Sequence, residues 1–88
     1  MGVAYTETAG TLTNTTVSLS AKQRNSLIIG NPSDTVMYMA VGTTASATNG
    51  IPVPAGSSVA LIGPGVAPSQ AVSLFCAGTS KAYYCLEG

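Results

Sequence analysis

The side chains able to carry proton transfer, metal ligation or nucleophilic attack are few. They are Cys76 and Cys85, the carboxylates Glu7, Asp34 and Glu87, and the bases Lys22, Arg24 and Lys81, with no histidine among 88 residues. Without histidine, the ordinary base for activating a serine or cysteine is missing. The carboxylates stand far apart along the chain, so no pair flanking a glycosidic bond is encoded locally. A thiolate needs a cationic neighbour, and only Lys81 is near the cysteines in sequence; burial as small apolar side chains is the expected role of both. Two cysteines do not complete a tetrahedral zinc site. Gly63-Pro64-Gly65 lacks the Lys-Ser/Thr pair and the helix that follow a phosphate loop, and reads as a bend. The expectation is a non-enzymatic chain with no metal and no cofactor.

Binding chemistry is equally restricted. Three basic residues give no electrostatic footprint for a phosphate backbone, so nucleic acid is not an expected partner. Tyrosine suits protein interfaces and sugar stacking. Tyr83 and Tyr84 are adjacent and must point to opposite faces of a strand; Tyr38 and Tyr84 are expected to fill the core, leaving Tyr83 for a partner.

Only 7% of residues are charged, against about 25% in an ordinary soluble domain. Net charge is zero, which favours association over repulsion. Surface polarity comes instead from eleven Thr and ten Ser. A chain this short hides only about 60 to 65% of the surface its unfolded form exposes, so its own core leaves it marginal. Self-association is therefore the expected supplement. No apolar run approaches the roughly 18 residues of a membrane span. The N-terminus shows no basic segment followed by an apolar run, so no secretory leader is expected.

These residues must be positioned by strands. Val17 and Leu19 alternate with Thr16, Ser18 and Ser20, the pattern of a half-buried strand. Apolar runs follow at residues 26–30 and 35–41, the latter apolar on both faces as in an interior strand. Asn31-Pro32-Ser33-Asp34 between them is turn chemistry. Residues 42–50, GTTASATNG, hold nothing to bury and predict a loop. Ile51-Pro52-Val53-Pro54 must run extended, off any central ladder. Residues 58–62, 70–76 and 81–86 complete the set. About seven short strands separated by turn signals predict an all-β fold, a compact β-sandwich or small β-barrel. Residues 1–14 are expected to form an extended N-terminal arm, 15–88 a single domain, and residues 21–25 an exposed turn.

The last two strands are expected to form a hairpin around Gly78-Thr79. A two-residue loop sets Cys76 opposite Lys81 and leaves Cys85 roughly 13 Å away, and a three-residue loop puts the thiols on opposite faces. Either register predicts unlinked cysteines.

The phrases Asn31-Pro32-Ser33, Val36-Met37-Tyr38-Met39, residues 42–51 (GTTASATNGI) and Val53-Pro54-Ala55-Gly56-Ser57 resemble small β modules of tailed-phage virion proteins, found in head-decoration, head-fibre and tail-associated chains. The likeness covers a little over a third of the chain. It implies a compact β-sandwich or barrel, self-association commonly as trimers, and no catalytic residues. The C-terminal segment departs from the pattern, with two Cys and paired Tyr where Thr, Val and Ser are usual. The resemblance implies a capsid decoration or cement protein, made in the host cytoplasm and located in the virion, contacting the major capsid protein and copies of itself. The alternatives are a carbohydrate or host-surface binding module of a fibre or tail, and an ordinary cellular β domain such as part of an adhesin. The residues expected to make contacts are Val3, Tyr5 and Leu12 in the arm, Thr43, Thr44, Ser46 and Asn49 in the loop, and Tyr83.

Overall fold

The computed structural model describes residues 5–63 and 65–88; Val3 and Pro64 lie outside them. Eight strands follow in chain order: β1 (Thr6–Leu12), β2 (Thr15–Leu19), β3 (Ser26–Gly30), β4 (Met37–Val41), β5 (Ile51–Val53), β6 (Ser58–Ile62), β7 (Val72–Cys76) and β8 (Lys81–Glu87). They form two four-stranded sheets, β1-β8-β3-β6 (sheet I) and β2-β7-β4-β5 (sheet II), with every pairing antiparallel. The nested pairs β1/β8, β2/β7, β3/β6 and β4/β5 describe one long hairpin rolled into two sheets, the strand order of an eight-stranded jelly roll. The fold is thus a β-sandwich, as the turn spacing predicts.

The eighth strand comes from the expected arm. Thr6–Leu12 pairs along its whole length with β8, and Leu12 is buried in the chain's own core. The segment already has a partner in the same chain, and Leu12 is unavailable to a neighbour. The C-terminal hairpin is also absent: β7 belongs to sheet II and β8 to sheet I. Residues 77–80 cross between the sheets, and the last strand pairs with the first, a choice no local turn signal encodes. Both cysteines are free and buried.

Alternation places Leu27 and Ile29 of β3, Tyr83 and Cys85 of β8, Met37 and Met39 of β4, and Val72, Leu74 and Cys76 of β7 in one core. Full burial of each large apolar side chain contributes about 1.5–3 kcal/mol. Tyr83 is therefore the inward member of its pair, and Tyr84 is 38% exposed, the reverse of the expected assignment. The reason is register: Tyr83 lies opposite Gly10, whose missing side chain leaves room for the ring, since a Cβ there would stand 3.1 Å from the Tyr83 hydroxyl.

The turn motifs are structural pins. Asn31 is buried; its Nδ2 donates to the carbonyls of Thr35 and Val53, and its Oδ1 accepts from the amide and hydroxyl of Ser33. Its backbone bonds Ser57 and Gly56. One asparagine thus ties the β3–β4 corner to the β5–β6 turn. Gly50 (φ 142°) sits where a Cβ would lie 3.0 Å from the Met39 carbonyl oxygen.

Gly50→Ala is expected to destabilise the fold by about 1–3 kcal/mol through strain in that sparsely populated region, and Asn31→Ala by a similar or larger amount because it strands buried carbonyls. Urea unfolding followed by circular dichroism measures both; midpoints equal to that of the wild type would contradict the pinning roles of Asn31 and Gly50.

Candidate functional site

The loop of residues 42–50 joins β4 to β5 at the tip of the rolled hairpin. It is organised and not loose. Ser46 and Asn49 exchange two backbone hydrogen bonds of 2.9 and 3.2 Å. The Asn49 Nδ2 donates to the Thr44 carbonyl at 2.8 Å and the Thr43 hydroxyl at 3.3 Å. Contrary to expectation, the loop does bury something: Ala45 is 2% exposed, and its amide donates to the Ser73 hydroxyl at 3.0 Å. Ser73 and its neighbour Ala40 point outward from sheet II yet are buried, in keeping with a loop folded onto that face.

Beside the loop, an open depression of about 220 Å³ is lined by Ser18, Gly42, Thr43, Thr44, Ala71 and Ser73. Four hydroxyls and no titratable group make it a neutral hydrogen-bonding recess. It can hold water or a polyol, and it offers no acid or base for catalysis.

The structure therefore brings Thr43, Thr44, Ser46 and Asn49 together, while Asn49 turns its amide onto its own loop. Tyr5 stands apart, 54% exposed, with its ring against Gly88. Leu12 and Tyr83 belong to the core, and Val3 lies outside the described residues. Sequence reasoning misses Ser18 and Ser73, which reach the recess from β2 and β7; only strand pairing puts them side by side.

It also misses the outer face of sheet I. There Leu86, Ile28 and Ala60 lie side by side across β8, β3 and β6, with Glu7 at the β1 end of the row. Ile62, 63% exposed, continues the patch, and Tyr84 flanks it, its hydroxyl donating to Glu7 at 3.0 Å. That bond to the carboxylate holds the Tyr84 phenol above its ordinary pKa. The available signal is that β3 (Leu27-Ile28-Ile29) and β8 (Tyr84-Cys85-Leu86) are apolar on both faces, although an antiparallel sandwich covers only one.

The charged side chains are spent on internal ties. Arg24, expected in an exposed turn, has a side chain with no exposure. Its Nε donates to Glu87 Oε2 at 2.6 Å, and its other nitrogens donate to the carbonyls of Pro68, Gln70 and Ser20. Lys22 reaches the other Glu87 oxygen at 3.3 Å. Lys81 bonds Asp34 at 2.7 Å and lowers its pKa. Among the described residues no group of three or more His, Cys, Asp or Glu could hold a metal ion. Burial, with a smaller contribution from Glu87, pushes the Cys85 thiol up to about 12.

No protein-family model matches this sequence, and comparison with curated proteins finds no match.

Arg24→Met is expected to destabilise by about 3–5 kcal/mol, because it removes the closer, buried partner of the Glu87 charge and leaves only the more exposed Lys22, whereas the Arg24→Met/Glu87→Met pair should recover much of the loss. Chemical denaturation of the three proteins decides it; a double variant no better than the single would contradict a charge-specific tie. The raised Cys85 pKa predicts stability that is fully present below about pH 9, the thiol's unfolded value, and declines as pH rises toward 12, because the unfolded chain releases that proton first. Neither thiol should react with a disulfide reagent at pH 8 until the chain is unfolded; two rapid equivalents from the native protein would contradict the burial of Cys76 and Cys85.

Proposed function

We propose that this chain is a non-enzymatic phage virion structural protein, a capsid decoration or cement subunit that binds an assembled shell and copies of itself. The observation that carries the reading is the outer face of sheet I, where Leu86, Ile28, Ala60 and Ile62 form a connected apolar surface with Glu7 the one charge among its rows. A patch of that kind marks an interaction surface. Apolar burial of about 25 cal/mol per Å² would drive attachment. Jelly rolls also serve as viral capsid and lectin domains, a fold-level analogy that adds to the resemblance of the turn and loop phrases. The partners of this reading are the major capsid protein and further copies of the chain, and its location is the virion.

The neutral hydroxyl recess formed by Ser18, Thr43, Thr44 and Ser73 favours a second reading, a carbohydrate-binding module of a fibre or tail.

Sedimentation with capsids assembled without this protein separates the two. Saturable binding that survives about 0.5 M salt is expected, since few charges take part and screening removes little. Leu86→Lys should weaken it at least tenfold with the circular dichroism spectrum unchanged. Absence of shell binding together with glycan-array binding lost in Ser73→Val would replace the first reading with the second.

A further inference from the structure

We infer that β6 is a self-pairing edge: in solution Ser58–Ile62 of one copy pairs antiparallel with Ser58–Ile62 of a second copy across a two-fold axis, extending sheet I from four strands to eight. This deepens the self-association in the proposed function and rests on that part of it.

The sheet edges differ in what they offer a partner. A strand edge exposes unpaired N–H and C=O groups, and natural edges are blunted with charge, proline or cover. In sheet II, β5 is blocked by Pro52 within the strand and Pro54 just after it, and β2 presents the exposed polar residues Thr15, Thr16 and Ser18. In sheet I, β1 carries Glu7. Edge strand β6, reading SVALI, has no charge and no proline, and it pairs with β3 and with no other strand among the described residues.

Its surroundings are the apolar side of the molecule. Of the five large hydrophobic residues that stand exposed among the described residues, Ile51 (55%), Ile62 (63%) and Val66 (57%) belong to β5, β6 and the segment just after β6. A single five-residue edge falls short of the roughly 1,000 Å² that a specific interface must clear; Ile62 on the strand and Val66, whose amide meets the Gly63 carbonyl just after it, supply apolar area beside it.

The occupant is a second copy because the strand is self-complementary. Residues directly opposite in an antiparallel pair share a face, so the register that pairs all five residues sets Ala60 against Ala60, Val59 against Leu61 and Ser58 against Ile62. The smallest side chain falls on the axis, the two half-buried apolar residues cover one another, and no charge meets its own copy. Each contact occurs twice, as an isologous interface requires. A strand meeting its own copy edge to edge in this way closes as a pair, so the order differs from the three-fold arrangement that the resemblance implies.

The test uses the full chain. Light scattering at rising concentration should give a species of twice the 8.7 kDa chain mass. Ala60→Lys places two ammonium groups on the axis and should leave a folded monomer, as should Ala60→Glu, while an equimolar mixture of the two should restore the dimer. Should either charge disturb folding, Ala60→Cys gives an independent readout. Facing α-carbons in an antiparallel pair stand about 4.5–5.5 Å apart, within disulfide reach, so mild oxidation should yield a covalent dimer. Ser58→Cys should not cross-link, since its own copy would lie roughly 13 Å along the strand. A wild-type chain that stays monomeric at millimolar concentration, a trimer, or a dimer indifferent to Ala60→Lys would overturn the β6 contact. Shell binding is read separately: a monomer that still binds capsids sinks this contact alone, and a β6 dimer that ignores capsids sinks the virion reading alone.

Discussion

Burial of the Arg24 guanidinium is the constraint on which the sandwich turns. An ion of that size stripped of water is tolerated only when it is paired and hydrogen-bonded, and in this chain four of its five N–H groups bond segments far apart in sequence: Ser20 after β2, Pro68 and Gln70 before β7, and Glu87 at the end of β8. Strand β8 is interior to sheet I, between β1 and β3. A slip of one residue in β8 would turn Tyr83 and Cys85 to solvent and bring Tyr84 and Leu86 inside. Because Glu87 can meet Arg24 in one register only, the ion pair selects the arrangement that apolar burial alone, with Leu86 and Tyr84 available as substitutes, would specify less sharply.

The two outer faces are finished differently. Sheet II is covered in part by the chain itself, at Ala40 and Ser73, through Ala45 and the loop that its own bonds hold in shape. Among the described residues sheet I receives no such cover, and it keeps an apolar row that ends at the β6 edge. A small domain with little charge has few means of keeping such a surface soluble alone, which links the composition, the exposed face and the reading of the chain as a piece of a larger assembly.

The phrases that carry the family resemblance have mostly local structural work. Asn31 spans a corner, Asn49 closes its loop, and Gly50 admits the Met39 backbone. Their recurrence in a sequence therefore speaks first about a rolled hairpin with a folded tip. Turn chemistry is legible because it acts within a few residues. The ends of β3 and β6 are legible to the residue for the same reason, as runs of β-forming side chains bounded by glycine, proline and charge. The candidate contact residues divide: Thr43 and Thr44 do line a recess, whereas Leu12 and Tyr83 are claimed by the core.

The amino-acid sequence by itself determined the all-β class, the turns at Asn31–Asp34 and Ala55–Ser57, the near absence of charge and the lack of a histidine base, because composition and short-range backbone preference suffice for each. Which strand pairs with which was decided only by the tertiary structure. Joining β1 to β8, sending β7 and β8 to different sheets, burying Arg24 and choosing Tyr83 over Tyr84 all depend on contacts between residues far apart along the chain. Their outcome is set by packing two sheets around a single core, and no window of the chain contains that information.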